Sequence, residues 1–271
     1  MNPKKIIFYY QTFTSLKPIL IDNTVVTHIH LSSIHFGKNS DNSPYIHLND
    51  YPPENKIFDK LWEELDIAKK LNIKIVLMIG GAGGAFNTLF SNFNIYYELL
   101  KNIIKKYDCI SGIDLDVEET TSLSYIKMLI KQIKADFGND FIISMAPVAY
   151  ALENDSPGMG GFQYKELYNS DEGKLIDYFN GQFYYDLCEK AYENVINNGY
   201  PPEKIVFGME SGQNFEKVKL IVENLVKKYP NFGGVFDWEY FNANGKKSPY
   251  YWALTMNEVM NNNYYNLCQI S

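Results

Sequence analysis

Eight short runs rich in β-branched and aromatic residues recur along this chain, and longer helical patterns separate most of them. The runs fall at 6–10, 25–35, 74–79, 112–117, 141–146, 176–184, 204–209 and 233–238. Helix-like periodicity occupies 58–71, 95–107, 123–137, 186–198 and 215–229, with 250–260 after the last strand. Such alternation with short turns builds βα units around a parallel sheet. About eight units in about 250 residues is the arithmetic of an α/β fold of the (β/α)8 TIM-barrel type. An open doubly wound sheet would carry a phosphate-binding glycine fingerprint after its first strand. That position reads Tyr9-Tyr10-Gln11-Thr12-Phe13, without glycine, so the barrel is the expected fold. With no linker, low-complexity tract or longer repeat, residues 1–271 read as one barrel domain. The longest irregular stretches, 37–55 and 147–161, both follow strands. They lie on the face where barrel active sites form and are expected to wall a cleft.

Composition narrows the ligand. A net charge of −7 argues against nucleic acid, which needs a basic face. The chain has no Arg, so the bidentate fork for phosphates and carboxylates is missing and a neutral substrate fits better. An AT-rich coding bias, which the many Asn, Lys and Ile residues suit, is an alternative source of that absence. Aromatic residues make up 15% with 22 Tyr, part of them core, but sugar clefts also use flat rings with a polar edge. Cys109, Cys188 and Cys268 show no paired spacing, which argues against a disulfide framework and favours a reducing compartment. After Met1-Asn2-Pro3-Lys4-Lys5 comes only a short apolar run that reads as a strand, too short for a signal-peptide core. No segment approaches the roughly 18 apolar residues of a membrane span. The sequon Asn154-Asp155-Ser156 is followed by Pro157 and says little for secretion. A cytoplasmic monomer is expected, or a secreted one where a leader has been removed.

One run carries chemistry. In Gly112-Ile113-Asp114-Leu115-Asp116-Val117-Glu118, strand alternation sends Ile113, Leu115 and Val117 one way and Asp114, Asp116 and Glu118 the other. In a barrel the apolar set meets the helices and the acids line the upper interior. Three carboxylates in one file repel each other and lose hydration, and no fixed cation lies nearby in sequence. A solvated edge strand is the plain alternative, but the flanks read as a central strand. Crowded carboxylates share protons, so at least one stays neutral near pH 7 and is available as a general acid. Glu118, at the strand's carboxyl end, is placed to reach a substrate. This suits hydrolysis of an acetal, whose leaving oxygen must be protonated.

The run resembles the Asp-Gly-x-Asp-x-Asp-x-Glu signature of glycoside hydrolase family 18, which holds chitinases and endo-β-N-acetylglucosaminidases. The resemblance extends over essentially the whole chain. Leu77-Met78-Ile79-Gly80-Gly81 is similar to the family's Ser-x-Gly-Gly on the third strand, with Met78 in place of Ser. Gln182-Phe183-Tyr184 is similar to the sixth-strand Gln-Met/Phe-Tyr, and Gly233-Gly234-Val235-Phe236-Asp237-Trp238-Glu239 to the eighth-strand segment with the floor tryptophan. Ile46-His47-Leu48-Asn49-Asp50, Ser144-Met145-Ala146-Pro147-Val148 and Trp238-Glu239-Tyr240-Phe241-Asn242 look closest to a compact fungal-type branch.

The resemblance implies a barrel without a large α+β insertion, no cofactor, no metal, and a substrate-assisted retaining mechanism. Glu118 would protonate the leaving oxygen and later act as base on water. Asp116 would orient the substrate's 2-acetamido group, whose oxygen attacks C1 to give an oxazolinium ion. Asp114 would hydrogen-bond Asp116, Tyr184 would hold the acetamido carbonyl, and Trp238 would floor the sugar. Tyr10, Gly81, Met145 and Gln182 are expected substrate contacts. Glu210 and Glu239, at the ends of the seventh and eighth strands, are candidates to bind sugar hydroxyls, with loop solvation as the alternative. The sequence departs from the pattern at Ser111, where the signature has its first Asp, leaving the proton-sharing chain one carboxylate short. It departs again at Tyr185-Asp186, where chitinases commonly carry Asn or Asp directly after the Tyr.

Other features have plainer readings. The loop Gly80-Gly81-Ala82-Gly83-Gly84 lacks a Gly-Lys-Ser/Thr ending and more simply brings backbone close to a sugar. His28, His30, His35 and His47 lack a carboxylate at matching spacing and read as core or cleft histidines. Trp62 and Trp252 fall in helical patterns and read as core. The expected activity is endo-acting hydrolysis of GlcNAc-β-1,4-GlcNAc in chitin oligomers or the N-glycan core. A soluble or glycan-core substrate is favoured, because three Trp make a long track on crystalline chitin a poor fit. The competing reading is an inactive lectin on the same barrel, against which the retention of Asp116, Glu118, Tyr184 and Trp238 argues.

Overall fold

A computed structural model describes residues 4–243 and 248–261. Cys268 and the start Met1-Asn2-Pro3 lie outside the described residues. Eight parallel strands form a closed ring: β1 (Lys5–Tyr10), β2 (His28–Lys38), β4 (Lys74–Gly80), β5 (Ile110–Asp116), β6 (Ile142–Met145), β7 (Tyr178–Gln182), β8 (Ile205–Glu210) and β9 (Gly234–Trp238). The ring closes because β1 pairs with β9 on one side and with β2 on the other. β3 (Pro44–Leu48) lies outside it, antiparallel to the overhanging end of β2. The stretch 37–55 is therefore partly a β-hairpin, a correction to its expected irregularity. Likewise 147–161 contains the short helix α5 (Ala149–Glu153).

The outer layer holds α1 (Asp59–Lys70), α2 (Phe86–Ser91), α3 (Phe93–Lys106), α4 (Leu123–Phe137), α6 (Tyr164–Tyr168), α7 (Glu189–Asn197), α8 (Phe215–Lys228) and α9 (Pro249–Asn261). Helical spacing of apolar residues decides which side faces in. In α8, Val218, Ile221, Val222, Leu225 and Val226 are buried while the Lys and Glu between them are not. Asn214 starts that helix by accepting from Lys217 N, and Ser122 starts α4 by accepting from Ser124 N. Among the described residues no helix is long and apolar enough to cross a membrane.

Two apolar clusters follow from strand alternation. Ile6, Phe8 and Tyr10 join the large core between ring and helices, with Ile113, Leu115, Val117 and Met145. Ile7, Tyr9, Met78, Ala146, Tyr178, Val206 and Phe236 fill the ring itself. This corrects two expected substrate contacts. Tyr10 and Met145 face the helices, at 1% and 0% exposure, and reach no cleft. Their chain neighbours Tyr9 and Ser144 point inward instead. Trp62 and Trp252 are buried in the outer core as expected.

Candidate active site

The acids stand where alternation puts them. Asp114 is fully buried in the ring, Asp116 is 5% exposed above it, and Glu118 is half-buried just past the end of β5. Gly112 lets β5 lie close to β6, since a Cβ there would fall 2.5 Å from Ile142 Cβ.

Asp114 has the partners its burial requires. Its Oδ2 accepts from the Tyr9 hydroxyl at 2.8 Å, and its Oδ1 from Ser144 Oγ at 2.6 Å and Asn180 Nδ2 at 3.3 Å. His30 Nδ1 lies 3.3 Å from Oδ2, and its Nε2 is 3.1 Å from the Tyr178 hydroxyl. Burial alone would raise the Asp114 carboxyl, but the His30 imidazole and the Ser144 and Tyr9 donors outweigh it and hold it below the usual carboxylate range. The partners missing from the local sequence thus arrive from β1, β2, β6 and β7. Among the described residues no hydrogen bond joins Asp114 to Asp116, contrary to expectation, because Asp114's oxygens are already occupied.

Asp116 accepts from Gln182 Nε2 at 3.3 Å, and Gln182 also donates to Ala146 O at 2.7 Å. Burial, then the charges of Glu118 and Asp114, push Asp116 well above the usual carboxylate range. Glu118 is raised too, by burial, with Gln182 pulling the other way. Burial, followed by the nearby Asp116, also keeps the Tyr184 hydroxyl protonated. The pair Asp116 and Glu118 therefore keeps its protons to higher pH than ordinary carboxylates, at the floor of a cleft.

That cleft measures about 460 Å³ and sits at the carboxyl ends of the strands. It gathers Asp116, Glu118, Gln182, Tyr184, Trp238 and Gly81, all expected from sequence, with Glu210 at the rim. Trp238 leans on Tyr9 with ring centroids 5.4 Å apart, and Tyr9 leans on Phe236 at 5.0 Å, so the floor rests on the aromatic filling of the ring. Tyr185, 99% exposed, projects at the mouth. Met78, in place of Ser, lines the cleft beneath Gly81 and takes a hydrogen bond from Ser32 Oγ at 3.0 Å.

Glu239 does not line the cleft. Its carboxylate accepts from Gln11 N at 2.9 Å, Thr12 N at 3.0 Å and Thr12 Oγ1 at 2.6 Å, tying the first loop to the last strand. Ser111, where the signature has its first Asp, is bound to the neighbouring strand. Its hydroxyl accepts from Ile75 N at 3.0 Å and donates to Ile75 O at 3.1 Å, where the β4–β5 register shifts.

Several site residues escaped sequence reasoning. Tyr9, His30, Ser144 and Asn180 come from four different strands, and only ring closure brings them to Asp114. Glu119 is the other. Its carboxylate accepts from Ala85 N and from Phe86 N, the latter at 2.5 Å, so the residue after the acid anchors the far end of the glycine loop. The near end is held by Gly81 N donating to Asp116 O at 2.9 Å. Gly80 has φ +97°, and a Cβ there would sit 2.3 Å from Asp116 O, so only glycine fits. His35 Nδ1 is 2.8 Å from Gly84 O and its Nε2 3.1 Å from Ser33 Oγ, which places the ring proton on Nδ1. His28, buried inside the ring, bonds Thr27 Oγ1 at 2.7 Å, and His47 stacks on Tyr45 at 4.0 Å.

No family profile matches the chain. Solved structures do. A fungal endo-β-N-acetylglucosaminidase from glycosyl hydrolase family 18 is 32% identical with a TM-score of 0.87, covering 96% of this chain and 99% of that one. A chitinase from Aspergillus fumigatus is 33% identical with a TM-score of 0.81, covering 95% and 99%. Chitinase 2 from Rhizopus oligosporus is 23% identical over 195 residues, 62% of this chain, which spans about a third (34%) of that relative. On the strength of full-length likeness above 30% identity, this chain belongs to glycoside hydrolase family 18 and is a glycoside hydrolase.

Proposed function

We propose that the protein cleaves GlcNAc-β-1,4-GlcNAc bonds within chitin oligomers or the N-glycan core, with retention, using the substrate's own acetamide as nucleophile. The observation that carries this reading is the unequal pair at the cleft floor. Glu118 is half-open to the cleft with a raised carboxyl, while Asp116 is nearly buried and held by Gln182. An open neutral acid suits protonation of the glycosidic oxygen. A buried partner is poorly exposed for attack on C1 but well placed to accept from an acetamido N–H and to offset positive charge as it develops. Tyr184, its proton secure, is a donor for the acetamido oxygen, and Trp238 supplies an apolar floor. Glu118, deprotonated after the first step, then takes a proton from water and hands retention to the product. The fungal endo-β-N-acetylglucosaminidase and the Aspergillus chitinase support the bond type. In this reading the enzyme acts as a monomer on free glycans.

A side-by-side digest of chitin oligomers and a high-mannose glycopeptide, with products weighed by mass spectrometry, tests the substrate. Cleavage between the core GlcNAc units of one or both is expected, and it is lost in Glu118→Gln. Equal turnover by the variant would remove Glu118 from the mechanism, and no turnover of either glycan by wild type would sink the hydrolytic reading of the cleft.

A further inference from the structure

Beside the cleft, where the chain leaves β5, a second groove of about 530 Å³ opens between α2 and the start of α4. Its aromatic side is Phe90 and Tyr125, with ring centroids 4.9 Å apart at 27°. Phe90 covers one face of Tyr125, yet Tyr125 remains 48% exposed. Phe93 stacks behind Phe90 at 6.0 Å and Tyr97 behind Phe93 at 5.0 Å, so the exposed ring ends a row rooted in α3. Rings held this way lose little freedom when a ligand arrives.

The rest of the lining is polar and uncharged. Asn87, Thr120 and Thr121 line it, and their side chains make no hydrogen bond to protein among the described residues. No charged residue lines the groove. A phosphate ligand would need cations, and a hydrophobic peptide would need more apolar surface. An aromatic face beside free hydroxyl and amide groups suits a pyranose, whose C–H face covers the ring while its hydroxyls bond the rim.

Its position ties it to catalysis. Thr120 is two residues past Glu118, so their Cα atoms lie within about 7 Å. The α2 side continues directly from the glycine loop, and Glu119 bonds the two sides together. We propose that this groove is an accessory carbohydrate site that holds sugar units of the substrate lying beyond the cleft. The identity of that ligand rests on the glycan-cleaving reading above.

The test uses binding and turnover separately. In a Glu118→Gln background, calorimetry follows GlcNAc oligomers of two to six units and a high-mannose glycopeptide. Tyr125→Ala is expected to weaken the longest ligands about threefold to tenfold, the worth of one ring contact, and to leave the dimer unchanged. Tyr125→Phe keeps the affinity, and Asn87→Ala, a surface change, reproduces part of the loss. In the active enzyme, Tyr125→Ala raises KM on the same long substrates while kcat on a fluorogenic di-N-acetylchitobioside stays at the wild-type value. Loss that is equal at every length, or absent at every length, overturns the proposal. Should wild type cleave no GlcNAc glycan, the hydrolytic reading fails alone. Length-selective, Tyr125-dependent binding of those glycans still supports the groove, and its absence still overturns it.

Discussion

Around the barrel, β2 and β4 precede the acid strand β5, while β6 and β7 follow it. The first pair walls the cleft with Ser33, His35 and the loop 80–83; the second walls it with Val148, Met159 and Tyr185. Above Met78 at its base, the preceding wall is small, polar and bonded. His35 bridges Ser33 and Gly84, Gly81 N bonds Asp116 O, and Glu119 grips Ala85 and Phe86. Beyond Gln182 and Tyr184 at its base, the following wall presents apolar side chains, and at its edge Tyr185 is 99% exposed. A wall braced to the acid strand holds the reacting sugar to within fractions of an ångström. A wall faced with apolar side chains contributes contact area and tolerates variation in what it touches.

This contrast is open to attack by substitution. The largest effect is expected at the centre that both walls serve: Glu118→Gln should lower kcat about a hundredfold to ten-thousandfold, read with a fluorogenic chitobioside. The next falls on the braced wall. Glu119→Ala removes charge-assisted bonds to two backbone amides and should cost about 2–3 kcal/mol in chemical denaturation. It should also lower kcat/KM, while Glu119→Gln, able to keep one acceptor, recovers part of both. If Glu119→Ala left activity and stability unchanged, the bracing would be idle. On the looser wall, Tyr185→Ala should change KM less than about threefold and leave the melting temperature in place, as expected for an exposed loop ring. A larger loss there would make the two walls equal.

Titration sharpens the centre further. Folding raises the carboxyls of Asp116 and Glu118, so both hold protons at pH values where the unfolded chain has released them. Their contribution is most favourable below the unfolded carboxylate range and declines as pH rises toward the folded values. Activity should therefore persist to higher pH than an ordinary carboxylic acid allows, and Asp116→Asn should raise the melting temperature near neutral pH while activity falls. Asp237 offers the smallest and cleanest case. Burial, opposed by Ser211 and aided by Glu239 and Glu210, pushes it from 3.8 up to about 7. Asp237→Asn should accordingly stabilise the protein above about pH 7, by roughly 1–2 kcal/mol, and little below pH 4. Equal melting shifts at pH 4 and pH 8 would contradict that sign.

The barrel, its strand count and the acid file were legible in the sequence. Alternation along β5 separates Ile113, Leu115 and Val117 from Asp114, Asp116 and Glu118 whatever surrounds it, because strand parity is local. The motifs around Gly81, Gln182, Tyr184 and Trp238 likewise sit at strand ends, and all reach the cleft. Parity failed where both faces of a strand are apolar. In β1 the choice between Tyr9 and Tyr10 depends on which residue the ring encloses, and β6 poses the same choice between Ser144 and Met145. Glu239 had the right position and the wrong task, because its partners are amides more than two hundred residues away in sequence. By itself, then, the sequence determined the fold class and which acids share a face, since both follow from short-range periodicity. Only the tertiary structure decided which carboxyl is held down and which are pushed up. Those answers depend on His30, Tyr9, Asn180 and Gln182, which reach Asp114 and Asp116 through closure of the barrel rather than through any neighbouring position in the chain.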